Sequence, residues 1–439
     1  MDPCVRSTAR ALPKGWALCT SVTLGCLAWT LATGALLGLK SALPALGVDV
    51  LPLQLLHPLH TLGVVSFLEA GVLSLFAIAM HRNGARCSVP PSWSAAVIGT
   101  FVASGAGAIV MGRGSGLEYT SWPLALTALP VVVLAAMGWD AWRGLGRLSA
   151  RAPEGAWLLL VGLCLTPLGL IERIAGAGYD DASRALMVEW HALDTVFAGF
   201  NTSLYGLGIL LTAPPGRRPR GLVLYGVATF ALLSTFGHHH YVSAQPHVLK
   251  MIAFGASMLG VVSFIRHVRA LRGVLHMPVT GTSGALIGTG ALWTLYAVGS
   301  GVVLAVPHVN LILHGTHAIV AHSMGAVIGV NVAIVLGALL DASPGGGERA
   351  AVHRLSLWFN IILALIVLDL LAAGVVKGVM RIEGTHHDYQ PVIRSILAPL
   401  PLLGVALAGV IGCLSVRIAR GIRVREGPVT RVETAGVPS

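Results

Sequence analysis

Residues 307–329, PHVNLILHGTHAIVAHSMGAVIG, are apolar enough to lie in a membrane and yet carry four histidines, His308, His314, His317 and His322. An imidazole inside lipid is costly unless it faces a cavity, a partner or a metal, so each is a candidate functional residue. His322 and Met324 are two positions apart, which on a helix turns their side chains about 200° from each other. Such a pair cannot grip one ion. It suits two flat cofactors on opposite sides of the helix, imidazole nitrogen to one iron and thioether sulfur to the other. Taken alone, the stretch reads equally well as a polar helix lining a transporter cavity.

Two earlier stretches add ligands of the same kind, EWHALDTVFAGF (189–200) and TFGHHHYVSAQP (235–246). Consecutive histidines in an apolar span are hard to explain as packing. Adjacent helix positions are about 100° apart, so two of His238, His239 and His240 can converge on one ion, and His191 can complete a three-imidazole set. That set suits copper or non-haem iron. Asp194, three residues after His191, falls on nearly the same face and can add a carboxylate, which tilts the choice toward iron. The plainer role for Asp194 is an acid lining a proton or water path. Glu189 falls on the face opposite His191.

Helices that cross a membrane must position these residues. The chain has 439 residues, 55% of them hydrophobic and 11% charged, with a mean hydropathy of +0.79, which is the composition of a polytopic membrane protein. A net charge of +11 invites a nucleic-acid partner, but the basic residues sit in short loops between apolar runs, so no nucleic-acid partner is expected. Apolar stretches of about 20 residues predict twelve spans, near 15–38, 58–81, 92–112, 122–140, 154–172, 185–213, 221–243, 247–270, 282–306, 309–340, 352–376 and 391–418. With both termini cytoplasmic, 21 of the 29 Lys and Arg residues fall on the inner side, an asymmetry that a miscounted helix would scramble. The expectation is one twelve-helix membrane domain over 1–425 and a disordered tail over 426–439. The topology puts His57 and His60, His191, His238 to His240, and His322 with Met324 in the outer half of the bilayer. Six cysteines (Cys4, Cys19, Cys26, Cys87, Cys164, Cys413) form neither a CxxC pair nor a CxxCH haem-attachment site.

Four motifs in order resemble the catalytic subunit of the haem–copper oxidase superfamily, in its nitric-oxide-reductase and C-family oxidase branches. HPLHTLGVV (57–65) is similar to the second-helix motif that ends in a low-spin haem ligand, here His60. EWHALD matches the sixth-helix motif with the first non-haem metal ligand, here His191. GHHHYVSAQP (237–246) aligns without gaps to the reductases' histidine pair, which makes His238 and His239 the other two ligands. HGTHAIVAH (314–322) is similar to the tenth-helix motif ending in the high-spin haem ligand, here His322. KGVMRIEG (377–384) resembles the turn after helix eleven. The resemblance implies an all-α bundle of the oxidase subunit I type in a bacterial-type cytoplasmic (inner) membrane. It also implies a low-spin haem, a high-spin haem and a non-haem iron or copper.

The departures carry information too. Met324 stands where the family has the second low-spin haem histidine, so the pattern implies a His60/Met324 haem, with His57 and His317 as alternative ligands. Thr195 and Leu232 occupy the two positions where oxidases carry a redox tyrosine; Tyr225 and Tyr241 are the nearest substitutes. The reductases' glutamates fall on Thr195 and near Gly260, leaving Asp194 as the nearest acid. Full reduction of oxygen needs an extra electron and proton that the phenol supplies, whereas coupling two nitric oxide molecules needs two electrons in all. The expected function is therefore a nitric oxide reductase-like oxidoreductase of a respiratory chain, with electrons from a cytochrome c, a cupredoxin or a quinol. An oxygen-reducing terminal oxidase is the alternative, and a histidine-lined transporter without haem is the alternative of another class.

Overall fold

The computed structural model describes residues 12, 15–42, 52–115, 120–176, 182–212, 241, 246–262, 264–265, 268–269, 284–343, 349–384 and 389–426. These form α1 (Trp16–Ala42), α2 (Leu53–Arg82), α3 (Pro91–Val110), α4 (Ala128–Arg151), α5 (Pro153–Gly176), α6 (Ala182–Thr212), α7 (His247–Met258), α8 (Gly284–Leu304), α9 (Pro307–Leu313), α10 (His317–Met324), α11 (Ala333–Ala342), α12 (Arg349–Ile382), α13 (Tyr389–Leu397) and α14 (Leu400–Glu426). Ten helices among the described residues are long and apolar enough to cross a membrane, and they coincide with ten of the twelve expected spans. Backbone polar groups in lipid must be satisfied within the segment, which is why length and apolarity alone place them. The expected seventh span, 221–243, and the tail after Glu426 lie outside the described residues apart from Tyr241. The eighth is described in part, as α7 and the residues just after it.

α2 is the central helix. It is buried on nearly every face, whereas α14 keeps most of its surface outward, and α2 packs against α1, α3, α4, α6 and α11. α5 and α6 form the tightest pair, and the sequence explains why. Gly155, Gly162 and Gly169 recur every seven residues on α5, as do Gly199 and Gly206 on α6. A Cβ on Gly155 would lie 2.8 Å from the Gly206 carbonyl oxygen, and one on Gly169 would lie 2.7 Å from that of Ala192. Small residues let two backbones touch, the usual solution where lipid removes the hydrophobic drive between helices.

The expected tenth span, 309–340, is not one helix. α9 ends at Leu313, and the chain turns through His314–Thr316, with Gly315 at φ +70, a conformation that only glycine adopts at little cost. Thr316 then caps α10 by accepting from the Ala318 amide at 3.3 Å. After Met324 the helix runs as a π-helix from Gly325 to Val332 before resuming as α11. The π turn places Gly325 against the Tyr296 ring and Gly329 against the Trp293 ring, both on α8. Asn331 within it bonds Asn201 of α6 at 2.6 Å.

Of the stretch 377–384, expected as a turn, Lys377 to Ile382 are instead the last part of α12, and only Glu383 and Gly384 turn, Gly384 with φ +76. The reason is the break in the tenth span. Gly378 packs directly on the Ile312 carbonyl oxygen and Gly374 on the Ala318 amide. Arg381 donates to the carbonyls of Leu311 (2.7 Å), Ile312 (2.9 Å) and His314 (3.0 Å), and Lys377 to that of Gly315 (3.2 Å). A helix end leaves carbonyls without intrahelical partners, and two cations on α12 satisfy them and favour the negative end of the α9 dipole.

Candidate functional site

His60 lies near the start of α2, half-buried, with its ring against α1. Its Nδ1 is 3.1 Å from the Thr30 carbonyl oxygen and 3.3 Å from Thr33 Oγ1. A carbonyl can only accept, so Nδ1 carries the proton and Nε2 bears the lone pair. Thr33 already donates to the Trp29 carbonyl at 2.8 Å, which leaves its oxygen to accept as well. A Cβ on Gly34 would come within 2.9 Å of the His60 Cε1, so the ring lies in a cradle that only glycine leaves open.

His322 repeats the arrangement with different partners. Its Nδ1 is 2.8 Å from Ser300 Oγ on α8. Ser300 donates its hydroxyl hydrogen to the Tyr296 carbonyl at 2.7 Å, so Nδ1 of His322 is the donor and Nε2 bears the lone pair. Gly301 backs the ring, its Cβ position 3.2 Å from His322 Cε1. Met324 ends α10 two residues later, partly buried against the main core. The regular α-helix over His317–Met324 keeps it about 200° round from His322.

His191 is held by an acid that the sequence reading did not single out. Glu172 of α5 accepts from its Nδ1 at 2.5 Å, with side-chain exposures of 28% and 32% for the pair. Carboxylate on Nδ1 fixes the tautomer and orients the ring. The glycine contact of Gly169 on Ala192 brings Glu172 and His191 together. Asp194 lies within electrostatic reach of His191 and is half-buried on the same helix. Thr195, where a redox tyrosine would stand in one oxidase branch, is buried and donates to the His191 carbonyl at 2.8 Å. Glu189 lies in α6, but its side chain is outside the described set.

His238, His239 and His240 lie outside the described residues, as do Tyr225 and Leu232. Among the described residues no three His, Cys, Asp or Glu side chains form a metal-binding group. Of the two substitute phenols, Tyr241 donates its hydroxyl to the Ala305 carbonyl at 3.1 Å. The residues present nevertheless fit the expected cofactors. Three histidines on three helices each donate Nδ1 to a neighbouring helix, the tautomer that puts the lone pair on Nε2, and two of the rings rest on glycine.

No family model matches the chain, and no curated protein matches it. Among solved structures, the chain superposes on one from a haem–copper terminal oxidase dimer studied by cryo-electron microscopy, with a TM-score of 0.70, 13% identity, and coverage of 93% of this chain and 84% of that one. The helices of this membrane protein therefore follow the fold of a haem–copper terminal oxidase chain.

Proposed function

We propose that the protein is a nitric oxide reductase-like catalytic subunit of the haem–copper oxidase superfamily. It would lie in a bacterial-type inner membrane as a single twelve-helix domain with both termini cytoplasmic. The observation that carries this reading is the shared state of His60, His191 and His322, each with Nδ1 engaged by an adjacent helix on an oxidase fold. His322 would hold a high-spin haem, His60 and Met324 a low-spin haem, and His191, His238 and His239 with Asp194 a non-haem iron. Bound there, the metals supply coordination of the gas and passage of electrons. Two nitric oxide molecules, two electrons and two protons would give one nitrous oxide and one water, with electrons from a cytochrome c, a cupredoxin or a quinol.

The chain's own residues set the chemistry. Glu172 holds the His191 ring, and Ser300 holds the His322 ring. Asp194 offers carboxylate oxygen beside His191, which favours iron over copper. Thr195 has no phenol, and the Tyr241 hydroxyl is turned to the Ala305 carbonyl, so the first of the two oxidase tyrosine positions offers no electron for oxygen cleavage. The oxidase neighbour favours oxygen reduction at a copper-containing site as the second reading.

Metal counting and gas turnover with an artificial donor decide between them. The expected result is about three irons per chain, two in haem and one outside it, with little copper. Nitrous oxide should form from nitric oxide, and oxygen should be consumed slowly. Copper in the site with rapid oxygen reduction would promote the oxidase, and a reduced-minus-oxidised spectrum without haem bands would leave a histidine-lined transporter. A finer expectation concerns Glu172. Glu172→Gln keeps the side chain's size but weakens the hold on Nδ1, and should lower non-haem metal affinity about 10–100-fold. Titration of the purified protein with ferrous ion, followed by metal analysis, measures it. Unchanged affinity would make the pair structural only.

A further inference from the structure

Glu69 sits near the middle of α2, nine residues from His60 and so about 13 Å along the helix. It is fully buried, at 0% exposure, and neither carboxyl oxygen is hydrogen-bonded by any described residue. Packing does not explain such a residue. As an anion it would be desolvated without compensation, and as a neutral acid it offers the core nothing that an apolar side chain would not.

The helix facing it is polar along one stripe. Thr20, Thr23, Cys26, Thr30 and Thr33 of α1 follow one another at spacings of three, three, four and three, a single helix face. Contacts fix that face toward α2. Thr23 Oγ1 and Ser74 Oγ are 2.9 Å apart, a Cβ on Gly63 would lie 2.8 Å from Thr30 Oγ1, and the Thr30 carbonyl and Thr33 hydroxyl meet His60. Cys26 lies within electrostatic reach of Glu69. Ser66, one turn from Glu69 toward His60, is buried with its hydroxyl unbonded by described residues. The α1–α2 interface thus holds a seam of hydroxyls from Thr20 to His60, with one carboxyl midway.

We propose that Glu69 is a proton carrier in this seam, passing protons from the Thr23–Ser74 end toward Ser66 and the cofactor held by His60. The proposal rests on the reading that His60 holds a redox haem. The step is a relay. One carboxyl oxygen gains a proton from the hydroxyls and water of the Thr23 end, the other oxygen releases one toward Ser66, and the carboxyl is left as it began. One proton moves in for each electron that enters the haem at His60, and moves on as that electron leaves. A proton that follows an electron into a low-dielectric interior keeps the charge there balanced.

Reduced-minus-oxidised infrared and visible spectra of the full chain in lipid, with turnover, test this for the wild-type protein, Glu69→Gln and Glu69→Asp. The wild-type protein should show a deuterium-sensitive carboxyl C=O difference band on reduction, because the charge entering the haem shifts the stretch of the neutral Glu69 carboxyl beside it. Glu69→Gln should keep the haem bands, lose the carboxyl band and turn over about 10²-fold more slowly, and Glu69→Asp should recover most of the rate. The proposal is overturned alone if haem bands are present and the wild-type protein shows no carboxyl band, a measurement that needs no variant to fold. It is equally overturned if Glu69→Gln keeps the band and the rate, or if Glu69→Asp is as slow as Glu69→Gln. Absence of haem bands from every protein instead overturns the functional reading, and the proposal with it.

Discussion

Replacing His322 with alanine is expected to abolish gas reduction and the carbon-monoxide-sensitive haem band, while Ser300→Ala should cost only about 10–100-fold in haem affinity or activity. The difference follows from what each change removes. His322 would provide the nitrogen on the metal, and nothing else on α10 within a turn of it can take that place, since Ala321 and Ser323 carry no such ligand and Met324 points about 200° away. Ser300 provides only the bond that sets the tautomer and ring plane. His60→Ala should act differently again. It should empty the electron-entry site and stop turnover with a physiological donor, yet leave the carbon-monoxide-sensitive band in place. Visible spectra of the three variants, reduced and with carbon monoxide, read out all of this. Persistence of that band in His322→Ala would assign the catalytic haem to another histidine of the segment, His314 or His317 first.

The spans were legible in the sequence because lipid imposes a length and a composition that short-range structure cannot hide. The breaks were less so. An apolar stretch from 309 to 340 looks continuous by hydropathy, yet one positive φ at Gly315 and a threonine cap stop the helix for three residues. The signal was present, as Gly-Thr ahead of an apolar run and Pro307 at the first position of α9. The π-helical stretch had no local signal, because it depends on the Trp293 and Tyr296 rings of α8 lying against Gly325 and Gly329. The proposed ligands His60, His191 and His322 were conspicuous as imidazoles in apolar spans. Their partners were not. Thr30 and Ser300 act through groups that every helix has in number, and Glu172 stood at a span's end beside Arg173 with nothing in its own helix to mark its target. Glu69 was visible as an acid within LEAGVL, but only its full burial, with neither oxygen hydrogen-bonded by a described residue, separates it from an ordinary helix-lining acid. The stretch from Lys377 to Arg381 read as a turn through its resemblance to the motif after helix eleven; here it remains helical, with its two cations bonding the open end of α9.

Gly169→Val is expected to destabilise the α5–α6 pair at the upper end of the roughly 1–3 kcal/mol that overpacking costs, and to release the non-haem metal with it. The added Cβ would lie 2.7 Å from the Ala192 carbonyl oxygen and 2.9 Å from the Val196 amide nitrogen. Backbone atoms cannot step aside as a flexible side chain would, so the helices must part or shift. Glu172 is one turn further along α5, and His191 adjoins Ala192 on α6. A shift of more than an ångström between the two helices would carry this pair, 2.5 Å apart, past hydrogen-bonding distance. Gly146→Val on α4 is the control, because a Cβ there meets nothing within 4 Å and the residue is exposed. It should leave the thermal midpoint and metal content near those of the parent. Thermal unfolding in detergent and metal analysis after gel filtration separate the two variants. Should Gly169→Val retain both its midpoint and its full metal complement, the close approach of α5 and α6 would not be what holds Glu172 on His191. The seven-residue glycine spacing would then serve only to fit the pair into the bundle.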